Sequence, residues 1–203
     1  MYDDQTTIRE FLAAAAAPRA VPAGGSVAAL AAALGAAMGR MVVGIGAGKK
    51  EFAALEPRRR AAAEAFTRAQ EVFTRLMVED QAAVDAYLAA RRMPREDPGR
   101  VVAIESAVRE SVRTPRALAD AGLAVLEACD GAVDVCGAAM LADLAVCADL
   151  AMVAVRSGVN IVNVNARELR AEERATISSA ANEVQERAIA LVRNVSPRLS
   201  SPR

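Results

Sequence analysis

Four residues combine reactive side chains with apolar or anomalous surroundings: Asp80, Asp143, Lys49 and Lys50. Asp80 shares a helical face with Phe73, Leu76, Met77, Val84 and Tyr87 if residues 73–87 are helical. A carboxyl on such a stripe either pairs with one of the many arginines or lines a cavity, with a raised pKa and a proton to exchange. Asp143 poses the same choice, in an apolar run with Cys136, Met140, Cys147 and Leu150 on its side. Lys49 and Lys50 are the chain's only lysines, arginine serving at every other basic position. An ammonium is a compact charge with a tunable pKa, which a guanidinium is not. The alternative is a pair of cations favoured by a helix C-terminus. The turn Pro22-Ala23-Gly24-Gly25-Ser26 could turn backbone N–H groups toward an anion at a helix start. It lacks the spacing of a nucleotide P-loop.

Other chemistries are excluded by composition. The chain has no histidine, which removes histidine-based triads and His-ligated zinc. Proton transfer then falls to Asp, Glu, Lys, Tyr, Cys or water. Cys129, Cys136 and Cys147 lack CxxC spacing and read as small buried hydrophobes. With 25 basic and 25 acidic residues, scattered, no net field draws the protein to nucleic acid or to an anionic membrane. Aromatics are too few for base stacking.

The elements that must hold these residues are helices. Alanine, the best helix former, dominates the chain, and strand-like alternation is rare. Thr7 to Glu10 is a capping box for a first helix ending near Pro18. Ser26 reads as the N-cap of a second helix running to about Gly46, with Ala31, Gly35 and Gly39 as a smooth stripe for a close neighbour. A third runs from after Glu56, with Pro57 in its first turn, to about Arg92. A fourth covers about 100–112, and Thr114-Pro115 starts a fifth that Gly131 interrupts. Residues 133–160, apolar nearly all round, are expected to form one central helix, with the alternating 159–165 as its end. The last helix covers about 167–195, and 196–203 reads as a disordered tail. The expected fold is all-α, an up-and-down bundle of about six or seven helices in one domain over 1–195. The segment 26–48 is long enough to span a membrane, but Arg40 within it favours a buried helix. The polar, acidic start does not read as a signal peptide, so a cytoplasmic location is expected. Two helices this apolar are hard to cover within one copy, which predicts a homodimer.

Taken together, these segments resemble the cyclodeaminase/cyclohydrolase family: the C-terminal domain of formiminotransferase-cyclodeaminase and the stand-alone methenyltetrahydrofolate cyclohydrolases. The family opens with Pro-Gly-Gly-Gly-Ser, a small-residue helix and Gly-Lys-Lys. Here that is Pro22-Ala23-Gly24-Gly25-Ser26, then 27–47, then Gly48-Lys49-Lys50-Glu51-Phe52. The family's Asp-Ala-x-Ala-Phe and Leu-Pro-Lys appear as Asp80 to Val84 and Met93-Pro94-Arg95, its Val-Pro helix start as Thr114-Pro115. Its Ser-Asp falls at Ala142-Asp143, and its Arg-x-x-x-x-Asn-Val-x-x-Asn segment at Arg156 to Asn165. The chain departs at Cys136-Gly137, where the family has Gly-Asn, at Ala142 for Ser, and at Ile161 for the first Asn of the later pair.

The resemblance implies an all-helical dimer with a folate site near its interface. It further implies hydrolysis of 5,10-methenyltetrahydrofolate to 10-formyltetrahydrofolate, with no cofactor and no metal. In that reading Asp143 or Asp80 is the base that deprotonates water. Lys49 or Lys50 is the acid, or the partner of a folate carboxylate. Gly24, Gly25, Ser26 and Asn165 fall at substrate-binding positions. Cyclodeamination of 5-formiminotetrahydrofolate is the alternative reaction, and a folate binder or helical interaction protein without catalysis is the alternative class.

Overall fold

The computed structural model describes residues 1–45 and 47–200, with side chains except at Glu51 and Phe52. Six helices carry the fold: α1 (Ile8–Ala15), α2 (Gly24–Ile45), α3 (Glu56–Arg92), α4 (Arg100–Ala132), α5 (Leu141–Asn165) and α6 (Ala171–Ser200). Among the described residues there is no strand. The capping box at Thr7 and Glu10 forms as the sequence predicts.

Side-chain pairings fix the directions. Ser26 meets Met77 and Arg40 meets Gln70, so α2 and α3 are antiparallel. Arg113 meets Glu79 and Arg58 meets Asp134, so α3 and α4 are antiparallel. Cys129 lies beside Cys147, and Gly158 against Pro115, so α4 and α5 are antiparallel too. α5 therefore also runs opposite to α2, and the bundle is up-and-down. Phe66, Phe73, Leu118, Leu126, Leu144 and Val155 are fully buried at its centre. The expected smooth stripe on α2 serves two neighbours: Gly35 lies against Leu150 of α5, and Gly39 against the Phe66 ring of α3.

Four expectations need correction. α4 is one helix through Pro115 rather than two. Pro115 lacks the N–H that would bond the Ser111 carbonyl. The Asn165 side chain donates to that carbonyl instead, at 2.7 Å. Gly158 lets α5 approach the same bend, since a Cβ there would lie 2.5 Å from the Pro115 carbonyl. The expected central helix over 133–160 does not begin until Leu141, two short 3-10 turns and an extended Cys136-Gly137 preceding it. Val133, Val135 and Cys136 are buried there, so the apolar run reflects packing of this connection rather than a continuous helix. α2 starts three residues early, at Gly24, so Ser26 lies inside it rather than capping it. Finally, the expected tail is helical through Ser200. Leu199 is buried, and Arg198 bridges Asp130 and Asp134. Gly46 and residues 201–203, which the readings of the second helix and the tail included, lie outside the described residues.

Candidate functional site

The opening turn and the third helix form one unit. Asp80 is 7% exposed and sits under the first turn of α2. Its Oδ2 accepts the Ser26 backbone N–H at 2.7 Å and the Ser26 hydroxyl at 2.8 Å. Asp80 thus caps α2 from another element, which is why Ser26 need not. The helix dipole and the free N–H groups of that first turn favour a negative charge at this place. Gly25 is the gap through which the carboxyl enters: a Cβ there would stand 2.1 Å from Asp80 Oδ1. Gly24, one residue earlier, is exposed, with nothing within 4 Å of where its Cβ would be. The anion that the glycine turn receives is therefore the chain's own carboxylate.

The expected arginine partner of Asp80 is absent among the described residues; only Ser26 bonds it. Burial pushes its pKa above the ordinary carboxylate range, and the two Ser26 hydrogen bonds pull it part of the way back. Beside it, Gln81 is fully buried and holds the chain's start in place. Its Oε1 accepts the Tyr2 N–H, and its Nε2 donates to the Tyr2 and Met77 carbonyls. Sequence reasoning passed over Gln81, although a glutamine on a phenylalanine-bearing stripe was a signal for a buried clamp. One turn from Ser26 and Asp80, Leu30 and Met77 line an apolar cleft of about 250 Å³ together with Ile8, Phe11 and Leu34. Arg40 and Arg75 rim an adjoining polar depression.

Asp143, Lys49 and Lys50 lie at the opposite end of the bundle. Asp143 is in the first turn of α5, half-buried, and makes no hydrogen bond or ion pair among the described residues. Lys49 and Lys50 follow α2, exposed and free of ion pairs among the described residues. From Ser26 to Ile45, α2 climbs roughly 28 Å at 1.5 Å per residue. One protomer therefore does not bring Asp80 together with Lys49, Lys50 or Asp143. Asn165 lies at the Asp80 end, its amide committed to the Ser111 carbonyl. The cysteines behave as expected: all three are buried and free of disulfides, the Cys129 S–H donating to the Cys147 sulfur at 3.5 Å.

The sequence of the Formiminotransferase-cyclodeaminase family model matches residues 7–186. The chain belongs to this family. Family members with similar sequences include pig formimidoyltransferase-cyclodeaminase (Sus scrofa), 34% identical over 117 residues, 56% of this chain and 22% of that protein. A methenyltetrahydrofolate cyclohydrolase of Methylorubrum extorquens is 28% identical over 128 residues, 63% of this chain and 60% of that protein. The chain thus matches about a fifth of the length of the pig relative. In three dimensions it resembles formiminotetrahydrofolate cyclodeaminase from Thermotoga maritima, with a TM-score of 0.82, covering 96% of this chain and 94% of that one. At 19% identity that likeness shows the family's fold.

Proposed function

We propose that the protein hydrolyses 5,10-methenyltetrahydrofolate to 10-formyltetrahydrofolate in the cytoplasm, as a homodimer with composite sites. The observation that carries the reading is Asp80: a buried carboxyl with no cationic partner among the described residues, fixed by Ser26 in a member of a family whose relatives bear these activities. The substrate's bridging carbon is an amidinium-like cation, so a carboxylate attracts it and can take a proton from the attacking water. Water adds to the bridging carbon as the C=N π bond opens, and the C–N5 bond then breaks as the new hydroxyl becomes the formyl C=O; N5 takes a proton from an acid such as Lys49 or Lys50, the hydroxyl's proton recharges that acid, and the formyl group stays on N10. Asp143, half-buried and without an ion pair among the described residues, is the second carboxylate able to face the cation. Gly24, Gly25 and Ser26 border the site, and the apolar cleft beside Leu30 and Met77 offers a seat for an aryl ring.

The dimer supplies what one copy separates. Val27, Leu34, Met41 and Ile45 form an exposed apolar stripe along all of α2, and Val146 and Val153 continue it on neighbouring α5. Burying such a stripe drives association. An antiparallel pairing of two α2 helices about a two-fold axis sets the Asp80 end of one copy beside the Lys49, Lys50 and Asp143 end of the other. Both α2 and the α5 segment are long and apolar enough to cross a bilayer, yet less than half of each such stretch is buried within one copy. A second copy covers the remainder in this reading.

The test is the loss of methenyltetrahydrofolate absorbance with purified protein, corrected for spontaneous hydrolysis. Saturable acceleration supports the proposal. No acceleration, with ammonia released from 5-formiminotetrahydrofolate, would replace it with cyclodeamination. Tight folate binding with neither reaction would make the chain a binder.

A further inference from the structure

The Ser26 hydroxyl has two acceptors and one proton. It lies 2.8 Å from Asp80 Oδ2 and 3.1 Å from the Met77 carbonyl. Ser26 is fully buried, so water does not substitute for either partner. With Asp80 ionised, the hydroxyl donates to Oδ2 beside the fixed Ser26 N–H, and the Met77 carbonyl keeps the Gln81 amide at 2.9 Å. With Asp80 protonated on Oδ2, the hydroxyl accepts from the carboxyl and donates to Met77. In both protonation states the buried Ser26 hydroxyl keeps a hydrogen-bond partner, so the change of charge does not strand it.

We propose that Ser26 is a positioning residue that lets Asp80 change protonation state during turnover, its hydroxyl turning between Asp80 and the Met77 carbonyl, with Gly25 as the gap that admits the carboxyl. This rests on the reading of Asp80 as the group that exchanges the substrate water's proton. The step is closed: the proton that Oδ2 gains comes from the attacking water and leaves to solvent after product departs, while the Ser26 proton is only redirected. Among the described residues, the nearby ionisable groups have other partners. Glu79 on α3 is paired with Arg75 and with Arg113 of α4. Tyr2 of the N-terminal segment has its hydroxyl on Arg19, and Arg40, the one ionisable residue of α2, bonds Gln70. Burial and Ser26 alone account for the shift of the Asp80 carboxyl.

The experiment is a carbon-detected NMR titration of the Asp80 carboxyl, assigned by its loss in Asp80→Asn, alongside the pH profile of kcat. Ser26→Ala removes the movable donor and keeps the N–H. The carboxyl midpoint is expected to rise, the acid limb of kcat to move up with it, and turnover below that limb to fall about tenfold. Ser26→Cys, similar in size with a weaker donor, is expected to fall between the two and covers the case of an unstable alanine variant. An unmoved carboxyl midpoint in both variants would overturn the role of Ser26 and leave Asp80 as the base. A midpoint that moves while the kcat profile stays put would overturn the use of Asp80 itself.

Discussion

Two adjacent glycines at the start of α2 are expected to respond in opposite ways to the same substitution. In Gly25→Ala, the new methyl would stand 2.1 Å from Asp80 Oδ1, 2.5 Å from its Cγ and 2.9 Å from Oδ2. The carboxyl must withdraw by more than 1 Å, which breaks both of its bonds to Ser26. Hydrogen bonds to an ionised group contribute about 1.5–3 kcal/mol each. The two share one oxygen, so about 3 kcal/mol is lost for the pair, and alanine's better helix propensity returns about 1 kcal/mol. The net loss of about 2 kcal/mol lowers Tm by about 4–8 °C in a chain of this size. Gly24→Ala meets nothing within 4 Å. It should hold Tm or raise it by up to about 2–4 °C, through propensity alone. Differential scanning calorimetry of both variants measures this, together with each in an Asp80→Ala background. If Gly25→Ala costs as much without the carboxyl as with it, the clash with Asp80 is not the cause and the reasoning fails.

Asp80→Asn keeps an acceptor for Ser26 and removes a buried charge, so its Tm at neutral pH should equal or exceed that of the parent. The sign follows from the raised pKa: the folded state holds the Asp80 proton more tightly than the unfolded chain. That stabilisation is complete below the unfolded pKa and is lost as pH rises through the folded one, so the advantage of asparagine should vanish on acidification. An advantage that grows toward low pH would contradict it. Asn165→Ala strands the Ser111 carbonyl and should cost about 1 kcal/mol in urea unfolding, but much less in a Pro115→Ala background, where a backbone N–H returns to that carbonyl. Equal costs in both backgrounds would refute the assignment. Leu34, 58% exposed at the middle of the α2 stripe, should tolerate Leu34→Glu without loss of helicity. Light scattering should then report a monomer with little turnover, and an intact, active dimer would remove the α2 pairing.

Much of this architecture can be read from the chain because its signals are local. The capping box at Thr7, the proline in the first turn of α3 and the stripe from Phe66 to Met77 each act within a few residues. What escapes the sequence depends on partners far along the chain. Pro115 looks like a helix start because its lost hydrogen bond is visible locally, whereas the Asn165 amide that replaces it is 54 residues from Ser111. Ser26 looks like an N-cap because the real cap, Asp80, is 54 residues on. Asp80 was legible as a carboxyl out of place on an apolar stripe; its partner was not, since arginine is plentiful and a helix terminus has no residue type. Asp143 reads as a mid-helix residue because hydropathy alone does not register the break at Cys136-Gly137.

The most direct test of a folate hydrolase with composite sites is complementation between two inactive variants. Asp80→Asn and Asp143→Asn proteins, each expected to lose turnover of methenyltetrahydrofolate by orders of magnitude while retaining helicity, are mixed, unfolded and refolded together. If each site draws Asp80 from one copy and Asp143 from the other, the mixed dimer holds one intact site, and a statistical mixture recovers roughly a quarter of wild-type absorbance decay. Recovery at that level is the predicted result. No recovery, from a mixture shown to contain mixed dimers, would contradict the composite site, and full activity in either single variant would remove that carboxylate from the chemistry.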